Sequence, residues 1–394
     1  MRQSSGDLFP TDQPLPASLM IGRRDDIEDV ASALEGGTNL IVAGPRRTGK
    51  TSVCDAALTR AHARGYYTAS VDLFRLADAA EFAEALATAV LANRSPLRKL
   101  LSKVRSAGRA ALSASQMTAV MTLQQELGEG VEIAFTPGFA ATDPQKALAA
   151  ALELPERVAR ADGKRFIVFF DEFQELAGDR RPYGDPDALT KRMRAIFQRT
   201  SQVSYLFAGS LEHVMRDLFA PTDRAFSGFG SFKRLRPIDA EEWSDGLRER
   251  FAEDDCTIDD DALGRLVGLG AGHPRVTMLV AQQTHLLSIR LDTRTITEVM
   301  VRQAYEAALE GDRAYLDQLW DTVRSINRHA PRYVRHIAAG SALTKGIPPG
   351  DATRASRGLV SAGIVERVGH GVYEIVNPLF REYVVRDAGL STIR

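Results

Sequence analysis

Eight consecutive residues, Gly44-Pro45-Arg46-Arg47-Thr48-Gly49-Lys50-Thr51, place glycines, a lysine and a hydroxyl at a spacing suited to holding a polyphosphate. Glycines let backbone N–H groups wrap closely around phosphate oxygens, and the free N–H groups of a helix that opens there favour anions. Lys50 supplies the charge that reaches the β- and γ-phosphates, and Thr51 offers its hydroxyl to Mg²⁺. Ser52 extends the set. The ligand this predicts is a nucleoside triphosphate, ATP, with Mg²⁺. The bland alternative is a glycine turn carrying an exposed lysine.

A second constellation is Phe166-Ile167-Val168-Phe169-Phe170-Asp171-Glu172, an apolar run that ends in two adjacent carboxylates. In α/β sheets ligands gather at the carboxyl ends of strands. Asp171 is expected to hold Mg²⁺, and Glu172 to orient and deprotonate an attacking water. Tyr205-Leu206-Phe207-Ala208-Gly209-Ser210 closes another apolar run on a small polar residue. Ser210 suits a contact to the γ-phosphate or the lytic water, and equally a helix cap before Glu212.

These residues need a sheet to hold them. Apolar runs at Asn39–Ala43, Tyr66–Val71, Phe166–Phe170 and Val203–Ala208, with a less apolar one at Phe232–Leu235, read as five strands. Helical patterns separate them: Ile27, Val30, Ala31 and Leu34 at helical spacing, then 51–63, Asp78–Ala92 and Asp187–Thr200. Alternating strands and helices predict a parallel sheet covered on both faces. Residues 95–143 read as an insertion, with a basic patch (Arg94, Arg98, Lys99, Lys103, Arg105, Arg109) and a possible strand at Val131–Phe135. From Pro237 the pattern is all-helical, with Asp239 and Glu242 as a capping box and Asp259 and Thr295 as later caps. Beyond Ser325 come helices, then two short alternating strands around Gly369-His370, a β-hairpin.

At 394 residues the chain suits two or three domains. Lys+Arg of 50 against Asp+Glu of 51 gives a net charge of -1, so no global field draws it to nucleic acid or membrane. Two cysteines, Cys54 and Cys256, lack metal-ligand spacing and read as ordinary buried residues of a reducing compartment. No membrane-length apolar window occurs, and a cytoplasmic location is expected. The polar, proline-rich start, residues 1–18, reads as a disordered tail.

The combination resembles the AAA+/STAND group of P-loop ATPases, particularly the archaeal-type ATPases and their origin-recognition relatives. Met20-Ile21-Gly22-Arg23-Arg24-Asp25-Asp26-Ile27 is similar to that family's N-terminal element, which implies that Ile21, Gly22 and Arg23 cup the adenine and ribose. Gly44–Thr51 and Asp171-Glu172 resemble its two Walker motifs, and Ser210 falls at its sensor-1 position. Gly272-His273-Pro274-Arg275 resembles the sensor-2 element, which implies that Pro274 opens a lid helix and Arg275 reaches the γ-phosphate. The rival reading leaves Arg275 on a helix surface. Such ATPases complete their sites with an arginine from a neighbouring subunit, so an ATP-dependent homo-oligomer is implied. Arg224 is the first candidate, then Arg234 and Arg236.

The expected architecture is therefore a five-stranded parallel P-loop core of the AAA+ (ASCE) type at 19–236, a helical lid at 237–322, and a C-terminal winged helix-turn-helix domain at 323–394. Between Arg324 and Arg367 eight Lys/Arg face two acids. Lys345, Arg354, Arg357 and Arg367 are candidate contacts to double-stranded DNA. The second helix of that motif reads as truncated, and winged helices also dock proteins. Three functions stay open: an ATP-hydrolysing switch that binds DNA and assembles, a nucleotide-dependent scaffold for protein partners, and an ATP-gated transcription regulator.

Overall fold

The computed structural model describes residues 3–11, 13–107, 112–136, 138–177, 183–210, 212–219, 225–369 and 371–387. The chain forms two compact units, a sheet unit of Asp26–Ala43 and Val53–Arg234 and a helical unit of Met1–Asp25, Gly44–Ser52 and Leu235–Arg394.

The sheet unit holds five parallel strands: β1 (Leu40–Ala43), β2 (Tyr67–Asp72), β3 (Phe166–Asp171), β4 (Val203–Gly209) and β5 (Ser231–Arg234). Their order is β2-β3-β4-β1-β5, with Ile41 opposite Phe207 and Phe169 opposite Leu206. Every residue of β1, β3 and β4 is buried, as expected for central strands covered on both faces. β2 and β5 lie at the edges, and β5 is largely exposed, which is why its sequence reads as the least apolar. The Asn39 side chain ties the entry of β1 to its neighbours: its oxygen accepts from the Tyr205 N–H at 2.9 Å and its amide donates to the Phe229 carbonyl at 3.0 Å.

One side of the sheet is filled by aromatic rings. Phe173 packs on Phe207 with ring centroids 4.6 Å apart, and Phe197 stacks on Tyr205 at 3.9 Å. The helix Arg24–Glu35 buries Ile27, Val30, Ala31 and Leu34, as their spacing predicts. The other expected helices occur at Lys50–Ala63, Ala79–Leu91 and Pro186–Phe197, the last two capped by Asp78 and Asp185.

The 95–143 segment is helical throughout its described secondary structure, at Ser95–Ala107, Ala114–Leu127 and Gly130–Phe135. The strand expected at Val131–Phe135 is instead the last of these helices. Its β-branched and aromatic residues favour strands locally, but it packs on the helices Ala79–Leu91 and Pro144–Asp162, burying Val131, Ile133 and Phe135. Close approach is possible because Gly130 faces Leu154, whose Cδ1 would lie 3.0 Å from any added Cβ. Of the basic patch, Arg94 is a packing residue that pairs with Asp162 (2.5 Å) and Glu126 (3.1 Å), while Arg98, Lys99 and Lys103 are exposed.

In the helical unit the opening residues are not a loose tail. Ser5–Leu8 is a short helix, and Phe9 is 0% exposed against Phe251, with ring centroids 4.7 Å apart. The Ser5 hydroxyl lies 2.8 Å from His285 Nδ1, and His285 Nε2 lies 3.0 Å from Asp254. Arg250 donates to the carbonyls of Leu8 and Leu19, both at 2.9 Å. Two apolar residues among polar ones carry little sequence signal, yet they suffice when a buried groove and polar anchors receive them.

Four helices follow, Ala240–Ala252, Asp260–Gly270, Pro274–Arg290 and Glu298–Gly311. Between them lie two minimal parallel strands, β6 (Thr257–Ile258) and β7 (Thr295–Ile296). Asp259 caps its helix as expected. Asp239 makes no side-chain cap; Glu242 lies against Gly22 instead. Thr295 is in β7, so it is not the cap of the next helix. Further helices at Arg313–Ile326, Ala330–Ala338 and Pro349–Ser361 precede an antiparallel hairpin, β8 (Val365–Gly369) and β9 (Val372–Ile375), and a last helix, Pro378–Asp387. His370 in the turn lies outside the described residues. Residues 339–348 form turns with no helix, matching the truncation read from the sequence.

The helix Pro274–Arg290 begins on a titratable cap. His273 is 7% exposed, and its Nδ1 accepts from the Val276 N–H at 3.4 Å. Burial, then the nearby charges of Arg275 and Arg47, push its pKa down to about 4. Its neutral form therefore stabilises the fold fully above the unfolded value near 6.5, and that stability is lost as pH falls from there towards 4. Between pH 7.5 and 5.0 this costs about 2 kcal/mol. In urea titrations the wild type should lose that amount relative to His273→Asn, which keeps a capping oxygen but cannot titrate; parallel losses would remove His273 as the cause.

Candidate functional site

The loop Gly44–Ser52 belongs to the helical unit and opens the helix Lys50–Ala63 at Lys50. Arg47 and Gly49 both have positive φ (64° and 86°), which turns successive backbone N–H groups inward in the manner of an anion nest. Lys50 is buried and its Nζ donates to the Pro45 carbonyl at 2.7 Å, while the Thr48 hydroxyl donates to the same oxygen at 2.9 Å. The Ser52 hydroxyl accepts from the Leu15 N–H at 2.9 Å.

The Ile21-Gly22-Arg23 element belongs to the same unit. Gly22 has φ +65°, and a Cβ there would stand 2.3 Å from Ile238 Cγ2. The buried Arg23 guanidinium donates to the carbonyls of Arg236 (2.7 Å) and Thr48 (3.2 Å). Arg23 thus braces the phosphate loop from behind. Arg47 stacks over the Tyr315 ring at 4.3 Å. Arg46 and Arg47 line a small pocket with His273, Tyr315, Asn377 and Phe380.

Pro274 occupies the first turn of its helix, as expected, and Gly272 has φ +72°. Arg275 is not a free surface residue. It forms a two-pronged ion pair with Asp312, in which one contact is 2.9 Å, and both side chains are largely buried. Asp312 and Tyr315, which hold the two arginines, carry no signal in the sequence because they lie far along the chain from their partners.

At the carboxyl edge of the sheet unit, β3 ends on Asp171, which is 6% exposed, and β4 ends on Gly209 before the buried Ser210. Glu172 has φ +50°, a left-handed conformation that a non-glycine residue adopts only where its surroundings impose it. The next residue imposes it: Phe173 is fully buried among Phe170, Phe207 and Phe226, so the chain must turn back sharply after the strand. The Glu172 N–H donates to the Asp171 carboxylate at 2.9 Å, and the Ser210 hydroxyl donates to Glu172 Oε2 at 3.0 Å. Gln174, which the sequence reading passed over, hydrogen-bonds both Glu172 and Ser210. The only cue was a glutamine beside the buried Phe173 in the Phe173-Gln174-Glu175-Leu176 turn.

Arg224 lies outside the described residues. Arg234 ends β5 and Arg236 is exposed. Lys345, Arg354, Arg357 and Arg367 are all exposed; Arg354 pairs with Asp351, and Arg367 donates to the Gly369 carbonyl at 3.0 Å. No described helix is long and apolar enough to cross a membrane.

The AAA ATPase domain family matches residues 20–207. A Walker-type ATPase of Pyrococcus abyssi shares the fold with a TM-score of 0.69 at 18% identity, over 96% of this chain and 99% of that one. The ORC2 protein of Aeropyrum pernix, in ADPNP–ADP complexes, gives 0.56 at 14% identity over 99% and 100%. No curated protein matches the sequence. At these identities the solved structures establish a common fold. The domain match runs from the Ile21-Gly22-Arg23 element into β4, on a five-stranded parallel sheet of the P-loop kind, and it identifies residues 20–207 as an AAA ATPase domain.

Proposed function

We propose that the chain is an ATP-hydrolysing switch whose nucleotide state governs a C-terminal winged helix. The observation that carries hydrolysis is the Glu172 carboxylate, held by Ser210 directly after the buried Asp171. In this reading the backbone of Gly44–Thr51 wraps the phosphates, Lys50 meets the β- and γ-phosphates, and Ser210 touches the γ-phosphate. A hydroxyl at Thr51 and a carboxylate at Asp171 are hard oxygen donors of the kind Mg²⁺ selects. Bound there, the ion would neutralise charge on the β- and γ-phosphate oxygens.

Glu172 takes a proton from water as the oxygen attacks the γ-phosphorus. The bond from that phosphorus to the β–γ bridging oxygen breaks, giving ADP and inorganic phosphate. Arg275 reports the γ-phosphate by exchanging Asp312 for it. Both partners are anionic and suit a two-pronged guanidinium, so the exchange trades one charge-assisted contact for another. Leaving Asp312 frees the helix Arg313–Ile326, which leads into the C-terminal helices and hairpin, and this is how the nucleotide biases the winged helix. Arg224, Arg234 or Arg236 would serve a neighbouring copy in an ATP-dependent oligomer.

Helix, shortened turn, helix and hairpin follow one another in the order of a winged helix, and the exposed Lys345, Arg354, Arg357 and Arg367 support contact with duplex DNA there. A protein partner is the second reading, favoured by exposed Val368 and Val372 on the hairpin and by the Asp351 that neutralises Arg354.

Glu172→Gln should bind ATP as the wild type does and turn it over at least about 100-fold more slowly. Normal turnover in that variant would remove Glu172 as the base. Duplex binding by the wild type should weaken steeply as salt rises, and Arg354→Ala/Arg357→Ala should shallow that dependence. An affinity indifferent to salt would transfer the surface to a protein partner.

A further inference from the structure

Gln174 is 3% exposed and lies two residues beyond Glu172, inside the turn that follows β3. The carbonyl oxygen of its side chain accepts from the Ser210 N–H at 3.2 Å. Because a backbone N–H can only donate, that contact fixes which end of the amide is oxygen. The amide nitrogen then points the other way, donating to Glu172 Oε2 and to the Ser210 hydroxyl, the latter at 3.3 Å. With the Ser210 hydroxyl donating to the same Glu172 oxygen, the three side chains close a ring.

The backbone is shaped to admit this amide. A Cβ on Gly209 would stand 2.7 Å from Gln174 Oε1 and 2.5 Å from Met215 Sδ, so glycine at the end of β4 is what leaves the Ser210 N–H within reach. Few other side chains could serve. Asparagine is a methylene too short, glutamate cannot donate and would crowd a second carboxylate against Glu172, and an apolar residue would leave buried polar groups unpaired.

We propose that Gln174 is a positioning residue for ATP hydrolysis, clamping Glu172 through Oε2 so that Oε1 is aimed at the attacking water. This rests on Glu172 being the base. When Ser210 turns its hydrogen to the γ-phosphate, Oε2 loses one of its two donors. Gln174 keeps the other, so the carboxylate stays in place while nucleotide is sensed. A residue that merely filled space would have no such link to the chemical step.

The test compares Gln174→Met, close in size but unable to hydrogen-bond, with the wild type, Glu172→Gln and the double variant. Gln174→Met should lower kcat about tenfold or more with ATP affinity little changed, its urea midpoint falling modestly because the Ser210 N–H loses its acceptor. Glu172→Gln/Gln174→Met should be no slower than Glu172→Gln alone, because a clamp has nothing to act on once the base is gone. Gln174→Glu, which retains shape, should also be slow. Wild-type kcat in Gln174→Met beside an inactive Glu172→Gln would overturn the clamp and leave the base standing. Joint loss of stability and ATP binding in both Gln174 variants would make the role structural and also overturn it. Wild-type turnover by Glu172→Gln would overturn the base assignment and the clamp with it.

Discussion

A parallel sheet covered on both faces has little room for polar side chains along its central strands, and none for charged ones before their carboxyl ends, and this constraint organises the sheet unit. All six residues of β3 and all seven of β4 are buried. Charged groups appear where the strands stop, and there the polar chemistry is concentrated: Asp171 at the end of one with Glu172 after it, and Ser210 after the next. The aromatic packing beneath makes the edge precise. Phe173 is drawn into the core immediately after Glu172, which obliges the chain to turn there and holds the carboxylate in a conformation it would not otherwise keep. The acid is placed by the burial of its neighbour.

The phosphate loop answers a different constraint. Its backbone N–H groups must face one point, so two of its residues take positive φ and the loop is braced from outside by Arg23 on the Thr48 carbonyl. Arg47 and Arg275, both positive and both of the helical unit, are each occupied, one on the Tyr315 ring and one on Asp312. Such pairings hold two long cationic side chains in order.

Much of this was legible before the fold was known. β1, β3 and β4 announce themselves as largely apolar runs, because burial on both faces removes the alternation that an edge strand keeps. Gly44–Thr51 and Asp171-Glu172 are local patterns that residue type and spacing mark without any knowledge of the fold. What escaped was non-local. Phe9 and Ser5 dock in grooves made by residues more than 200 positions away. Val131–Phe135 has strand-forming residues but is helical because helices surround it. The partners of Arg275 and Arg47, and the role of Gln174, depend on contacts that no window of sequence contains.

The claim on which all else depends is that the loop holds ATP through Lys50. Equilibrium binding of ATP with Mg²⁺ to the wild type and to Lys50→Ala tests it directly, since alanine preserves the helix that opens there. Wild-type binding that falls at least about tenfold in Lys50→Ala is the expected result. Equal affinity in the two proteins, or no binding to either, would contradict it.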